Sequence, residues 1–105
     1  MNELEQQIVE IISTAGESKS KAFEALKKVK TKEFAAARKL LQESREIDIE
    51  AHKIQSKLIT AEMRGGEDKP EIGLLMVHAQ DHYMTAQLAR DLIETLIEVF
   101  DNGEE

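Results

Sequence analysis

Cysteine and tryptophan are absent from this chain of 105 residues, proline occurs once, glycine five times, and aromatic side chains make up 4%. Without cysteine there can be no disulfide, no thiolate nucleophile and no thiolate metal site. Scarcity of proline, glycine and aromatics favours helix over strand, because the abundant Ala, Glu and Lys lose little freedom in a helix. No uninterrupted apolar stretch, Leu74 to Val77 included, exceeds four residues, against the roughly 20 that a membrane span needs. The start, Met1-Asn2-Glu3-Leu4-Glu5, is acidic where a secretory signal would be basic and then apolar, so the expected setting is cytoplasmic. A formal charge of −7, from 21 acids against 14 bases, repels phosphate backbones and anionic membranes and argues against nucleic acid as a partner. Leu, Ile, Val and Phe supply about a quarter of the residues, more than a disordered chain carries, so residues 1–105 read as a single folded domain.

Periodicity divides the chain into three helices, expected over about 3–30, 32–64 and 71–100. In the first, Leu4, Ile8, Ile11, Ala15, Ser18, Ala22, Ala25 and Val29 recur at steps of four and three. The small residues Ala15, Gly16 and Ser18 mark a place for close helix approach. Thr31 offers an N-cap hydroxyl for the second helix, whose seam runs Ala37, Leu40, Ser44, Ile47, Ala51, Ile54, Leu58, Ala61. Gly65-Gly66 breaks the pattern and Pro70 suits a helix entry. The third stripe is Leu74, Val77, Met84, Leu88, Leu92, Leu96 and Val99, and Gly103 supplies a stop before a frayed acidic tail. Together these imply an all-α antiparallel three-helix bundle with enough lateral surface for self-association, at a copy number that periodicity does not give. The lysines of Lys27-Lys28-Val29-Lys30-Thr31-Lys32 read first as complements to the negative end of a helix, and second as a patch for an acidic partner.

The dense polar cluster is Val77-His78-Ala79-Gln80-Asp81-His82-Tyr83-Met84-Thr85. His78 and His82 are four apart and share a face, while Asp81 falls on the apolar stripe, where a lone carboxylate would lose several kcal/mol of solvation. Four readings of the residues stand side by side. In the first, the histidines pack at the edge of the stripe and Asp81 finds a hydrogen-bond donor. A zinc hydrolase would use His-x-x-x-His, but Ala79 occupies the place of the catalytic Glu. Two imidazoles and a carboxylate suffice for a structural or storage metal. A neutral imidazole can also attack phosphorus without a separate base, with His82 and Gln80 as donors to phosphoryl oxygens. A helix beginning at residue 71 would put His78 too deep for the free N-terminal N–H groups to assist. His52 reads as a packing residue, and Met76, Tyr83 and Met84 as core or docking surface.

His78-Ala79-Gln80-Asp81-His82-Tyr83-Met84-Thr85 closely resembles the signature of the lactose/cellobiose-type IIA components of the bacterial phosphoenolpyruvate-dependent sugar phosphotransferase system. The resemblance extends through Ile12 to Ser20, Ile49 to Gln55 and Asp91 to Ile97. It implies a homotrimer of three-helix subunits and a phosphoryl group taken by His78 from HPr and passed to a cysteine of a IIB component. It also implies Asp81 meeting its two symmetry mates around Mg²⁺ or another divalent cation, with Gln80 and His82 supporting the phosphoryl group. The sugar expected is a β-linked disaccharide, cellobiose first, then lactose or chitobiose. The competing reading is a non-enzymatic helical adaptor or metal-binding bundle.

Overall fold

The computed structural model describes residues 1–67 and 69–101. Three helices, α1 (Glu3–Lys30), α2 (Phe34–Arg64) and α3 (Leu74–Phe100), form an antiparallel bundle of 57 × 23 × 19 Å, with no strand among the described residues. α1 packs closely along both of its neighbours, whereas α2 and α3 lie farther apart and are joined mainly by long polar side chains from Arg38–Asp101 to Gln55–Gln80. The stop expected at Gly103 and the frayed tail lie outside the described residues.

α1 begins with a capping box: the Asn2 side chain accepts from Glu5 N–H at 2.8 Å, and Glu5 accepts from Asn2 N–H at 3.2 Å. Its expected seam is buried from Ile8 to Val29, with Leu4 half-buried. Gly16 is not a point of close approach, because a Cβ there would meet nothing within 4 Å. Thr31 ends α1 rather than opening α2: its hydroxyl donates to Lys28 O at 3.2 Å and also meets the Glu33 carboxylate, and α2 starts at Phe34. Between them Lys32 sits at φ 60°, a left-handed conformation that costs a side-chain-bearing residue about 1–2 kcal/mol. Lys32→Gly removes that strain but adds about 0.4–1 kcal/mol of unfolded-chain entropy. The expected result is a net stabilisation of about 0.5–1 kcal/mol, read as a higher urea midpoint. A lower midpoint would mean that Lys32 makes a stabilising contact which outweighs its strain.

α2 ends at Gly65 (φ 69°), whose N–H caps Ala61 O and Glu62 O at 3.2 Å, and Gly66 (φ 81°) turns the chain away. α3 starts at Leu74, not at 71. Pro70 is buried and pins the approach, and Gly73, which would cost about 1 kcal/mol inside a helix, serves as the extended N-cap.

The largest departure from expectation is the face that α3 buries. Met76, Ala79, Tyr83, Ala86, Arg90, Ile93 and Ile97 point into the bundle. The bulkier stripe at Leu74, Val77, Met84, Leu88, Leu92 and Val99 faces outward, from 53% exposed at Val77 to 85% at Leu74. Periodicity detects an apolar stripe without saying which of two stripes meets the chain's own helices. α2 shows a milder version, burying Leu41 and Asp48 beside the expected Leu40 and Ile47, which are only half-buried.

Two apolar clusters fill the interior. One gathers Ile8, Ile11, Ile54, Leu58, Met76 and Tyr83, and the other Val29, Leu41, Ile93 and Ile97. Between them lies a polar layer. Ser18 Oγ donates to Ser44 O at 2.9 Å and Ser44 Oγ donates to Ser18 O at 2.7 Å, so reciprocal hydrogen bonds stitch α1 to α2. Arg90 Nη1 donates to Ser18 Oγ, and Arg90 Nη2 pairs with Asp48 Oδ2, both at 3.1 Å. Ion pairs Arg38–Asp101 (2.7 Å) and Arg45–Glu94, seven residues apart on each helix, hold α2 antiparallel to α3.

Candidate functional site

Because α3 starts at Leu74, His78 is its fifth residue, one turn from the helix's positive end rather than deep inside. The N–H groups of Leu74, Leu75 and Met76 precede the first intrahelical bond, from Val77 N–H to Gly73 O at 3.1 Å. Helical side chains lean toward the N-terminus, so the His78 imidazole stands over a partial charge of about +0.5. His78 is exposed, and His82, one turn on, is half-buried. Their rings meet edge to face with centroids 4.5 Å apart. His82 Nδ1 is buried without a hydrogen-bond partner among the described residues. An orphaned acceptor is tolerated better than an orphaned N–H, which favours the tautomer carrying its proton on Nε2, a donor.

Gln80 lies elsewhere. Two residues along a helix turn the side chain by about 200°, so Gln80 faces α2 while His78 and His82 lie toward α1. Gln55 Nε2 donates to Gln80 Oε1 at 2.8 Å, which leaves the Gln80 amide N–H groups as free donors. His78 and Gln80 are therefore not brought to one point within a single protomer. Asp81 lies between these two flanks, exposed on the outer apolar stripe. In the protomer it is solvated, so the desolvation expected from the sequence would arise only once that stripe is covered.

Among the described residues, no three of His, Cys, Asp and Glu stand close enough to hold a metal ion. His78 and His82 thus lack the third ligand that a metal site within one protomer would need. Met76 and Tyr83 are core residues, whereas Met84 is 61% exposed beside Asp81.

Several contacts around the site are not evident from the sequence. Lys19 of α1 donates to Thr85 Oγ1 at 2.8 Å, placing a cation one turn beyond His82. His52, expected to pack, is exposed, and its Nδ1 lies 2.8 Å from the Tyr83 hydroxyl. Arg90 and Asp48 lie on buried helical positions, and a charged residue of each sign on two such faces was the available signal. The Tyr83 hydroxyl is pushed above the ordinary tyrosine range, chiefly by burial and next by the Asp48 carboxylate, with Arg90 opposing. A raised folded-state value leaves stability intact below the unfolded value of about 10 and erodes it as pH climbs through the folded one. Tyr83 is the chain's single tyrosine. Its tyrosinate absorbance should therefore titrate at higher pH in the folded protein than in urea, and a midpoint at or below the unfolded one would contradict the burial.

Comparison with known proteins identifies the family to which this fold belongs. The family model described as the lactose/cellobiose-specific IIA subunit of the PTS system matches residues 6–101. The N,N'-diacetylchitobiose-specific EIIA component of Escherichia coli K12 is 44% identical over 99 residues, covering 94% of this chain and 84% of its own. A crystal structure of the cellobiose-specific enzyme IIA from Bacillus anthracis superposes with a TM-score of 0.90 at 35% identity, over 97% of this chain and 92% of that one. The IIA(chitobiose) of E. coli, solved in solution as a complex with HPr, superposes with a TM-score of 0.81 at 42% identity, over 97% of both chains. No helix among the described residues is long and apolar enough to cross a membrane. The chain belongs to the lactose/cellobiose-specific IIA family, the phosphotransferase carrier subunits of the sugar phosphotransferase system.

Proposed function

We propose that His78 is the phosphoryl carrier of a cytoplasmic IIA component, loaded by phospho-HPr and unloaded by a cysteine of a IIB component during uptake of a β-linked disaccharide. The observation that carries this reading is an exposed imidazole over the positive end of α3, edge to face with a second imidazole at 4.5 Å. The lone pair of a neutral His78, on Nε2, attacks phosphorus as the bond to the HPr imidazole breaks in line. The proton on Nδ1 stays in place, and the released HPr nitrogen takes up the electron pair. In the second step a IIB thiolate forms the S–P bond and the His78 nitrogen leaves. Transfer of this kind needs positioning and charge stabilisation more than covalent help, which the helix end and a donor on His82 supply.

The exposed stripe of α3 supports a homotrimer built on that face, since a continuous row of bulky apolar side chains marks an interaction surface. In a closed ring the His78 flank of one copy adjoins the Gln80 flank of the next, which returns Gln80 to the phosphoryl site from a neighbouring subunit. Three Asp81 carboxylates then converge in an apolar interface, and their oxygens suit Mg²⁺ or another hard divalent cation. Such an ion supplies charge neutralisation at the interface and takes no part in transfer. Asp81→Leu should keep the oligomer and match or exceed the wild-type melting temperature, because it replaces converging charges by apolar contact. A chelator should lower the melting temperature of the wild type alone. Dissociation of Asp81→Leu, or wild type indifferent to chelator, would count against the axial arrangement.

The relatives include chitobiose and cellobiose components, which supports the β-linked class. We place cellobiose first, then lactose or chitobiose. The test is to load the protein with phosphoenolpyruvate, enzyme I and HPr, then offer it purified cellobiose-, lactose- and chitobiose-type IIB components. Fastest discharge to the cellobiose type is expected. Absence of loading would overturn the carrier assignment, and faster discharge to another type would overturn the sugar alone.

A further inference from the structure

At the end of the bundle remote from His78, the last turns of α1, Lys32, the first residue of α2 and the last of α3 line an open-sided cavity of about 480 Å³. Its walls are Leu26, Val29, Phe34 and Phe100, and its rim carries Lys27, Lys30 and Lys32. A volume of this size, mostly apolar with a few charges of one sign, has the make-up of a small-molecule site. Phe100 is 60% exposed on one wall, an aromatic surface left uncovered among the described residues. It lies eighteen residues, five helical turns, beyond His82 and therefore on the same face of α3, toward α1.

The rim is cationic on a molecule whose formal charge is −7. Among the described residues, no carboxylate lies within ion-pair distance of Lys27, Lys30 or Lys32, and the nearby Glu33 pairs with Lys28 at 3.9 Å. Lys27 and Lys30 also complement the carbonyl end of α1. Lys32 stands outside the helix, at φ 60°, where glycine would fit without strain. A lysine kept in a conformation that penalises it, at the mouth of an apolar cavity, is a charge retained at a structural cost.

We propose that this cavity binds an amphipathic anion, a small molecule with a medium-length acyl chain and a carboxylate head. The chain enters between Phe34 and Phe100, and the carboxylate is held by Lys32 with Lys27 and Lys30. The site lies about 33 Å along α3 from His78, too far for the two ligands to touch. It is independent of the phosphoryl reading.

Calorimetric titration of the intact protein with decanoate, below its micelle concentration, tests it. Saturable binding of one decanoate per chain is expected, weakened by raised salt. Decyltrimethylammonium, with the same tail and the opposite charge, and acetate, with the same head and no tail, should each bind at least tenfold more weakly. Lys32→Gly and Phe100→Ser should each weaken decanoate at least tenfold. Because Lys32→Gly relieves strain, its loss of binding cannot be ascribed to misfolding, and its loading by phospho-HPr should match the wild type. The proposal is overturned by absence of saturable binding, by equal binding of the cationic analogue, or by undiminished binding in both variants. Concentration-dependent association that Phe100→Ser abolishes would also overturn it, because a second copy would then occupy the cavity.

Discussion

His78→Ala is expected to abolish the acid-labile phosphoryl label acquired from phosphoenolpyruvate, enzyme I and HPr, while leaving the helical content and melting temperature close to wild type. The ring is exposed, makes no hydrogen bond among the described residues and meets the His82 ring edge to face, so its removal leaves no cavity and no orphaned buried group. His82→Ala should differ in kind. It keeps the nucleophile but removes a donor near the phosphoryl oxygens, an effect of roughly 10²–10³-fold on the transfer rate when such a donor is lost. Stoichiometric but slow labelling of His82→Ala, beside none in His78→Ala, is the pattern of one nucleophile and one supporting group. Equal residual labelling of the two variants would mean that the imidazoles share the role.

Arg90→Met should be the most damaging single change to stability, at about 3–5 kcal/mol, because it leaves the Asp48 carboxylate uncompensated in the layer between the two apolar clusters. Asp48 is 7% exposed, Arg90 is its ion-pair partner at 3.1 Å, and Asp48 Oδ1 already lacks a hydrogen-bond partner among the described residues. In a domain of this size that loss lowers the melting temperature by on the order of 10–40 °C. The double variant Asp48→Leu with Arg90→Met removes both charges and should recover most of the loss, since apolar replacements of buried ion pairs are often neutral or stabilising. Both measurements need matched protein concentration if the chain assembles. A single variant that loses less than about 1 kcal/mol would show that water reaches Asp48.

The polar layer also shows how far the amino-acid sequence can be read. Three helices and the α1 seam were legible because small and apolar residues recur there at steps of four and three, while off that seam α1 carries only scattered apolar residues such as Val9 and Phe23. α3 carries two apolar faces. Its Leu, Val and Met stripe is the bulkier and more regular, so it presents as the core, although the smaller Ala, Tyr and Ile face is the one that meets α1 and α2. Asp48 and Arg90 broke the apolar pattern, and only their pairing across helices justifies their burial. The motif from His78 to Thr85 was visible as a cluster of polar residues, but its neighbours on other helices, Lys19 and Gln55, are linear strangers to it. Pro70 suggests a helix start at 71, but Gly73 delays α3 to Leu74, and those three residues decide whether the positive helix end lies beneath His78.

Phosphorus NMR of the protein after incubation with phosphoenolpyruvate, enzyme I and HPr tests the carrier assignment most directly. The account predicts a single phosphohistidine resonance, assigned to Nε2 of His78, that disappears when a cognate IIB component is added. A resonance that survives in His78→Ala, or none in the wild type under conditions where HPr itself is phosphorylated, would contradict it.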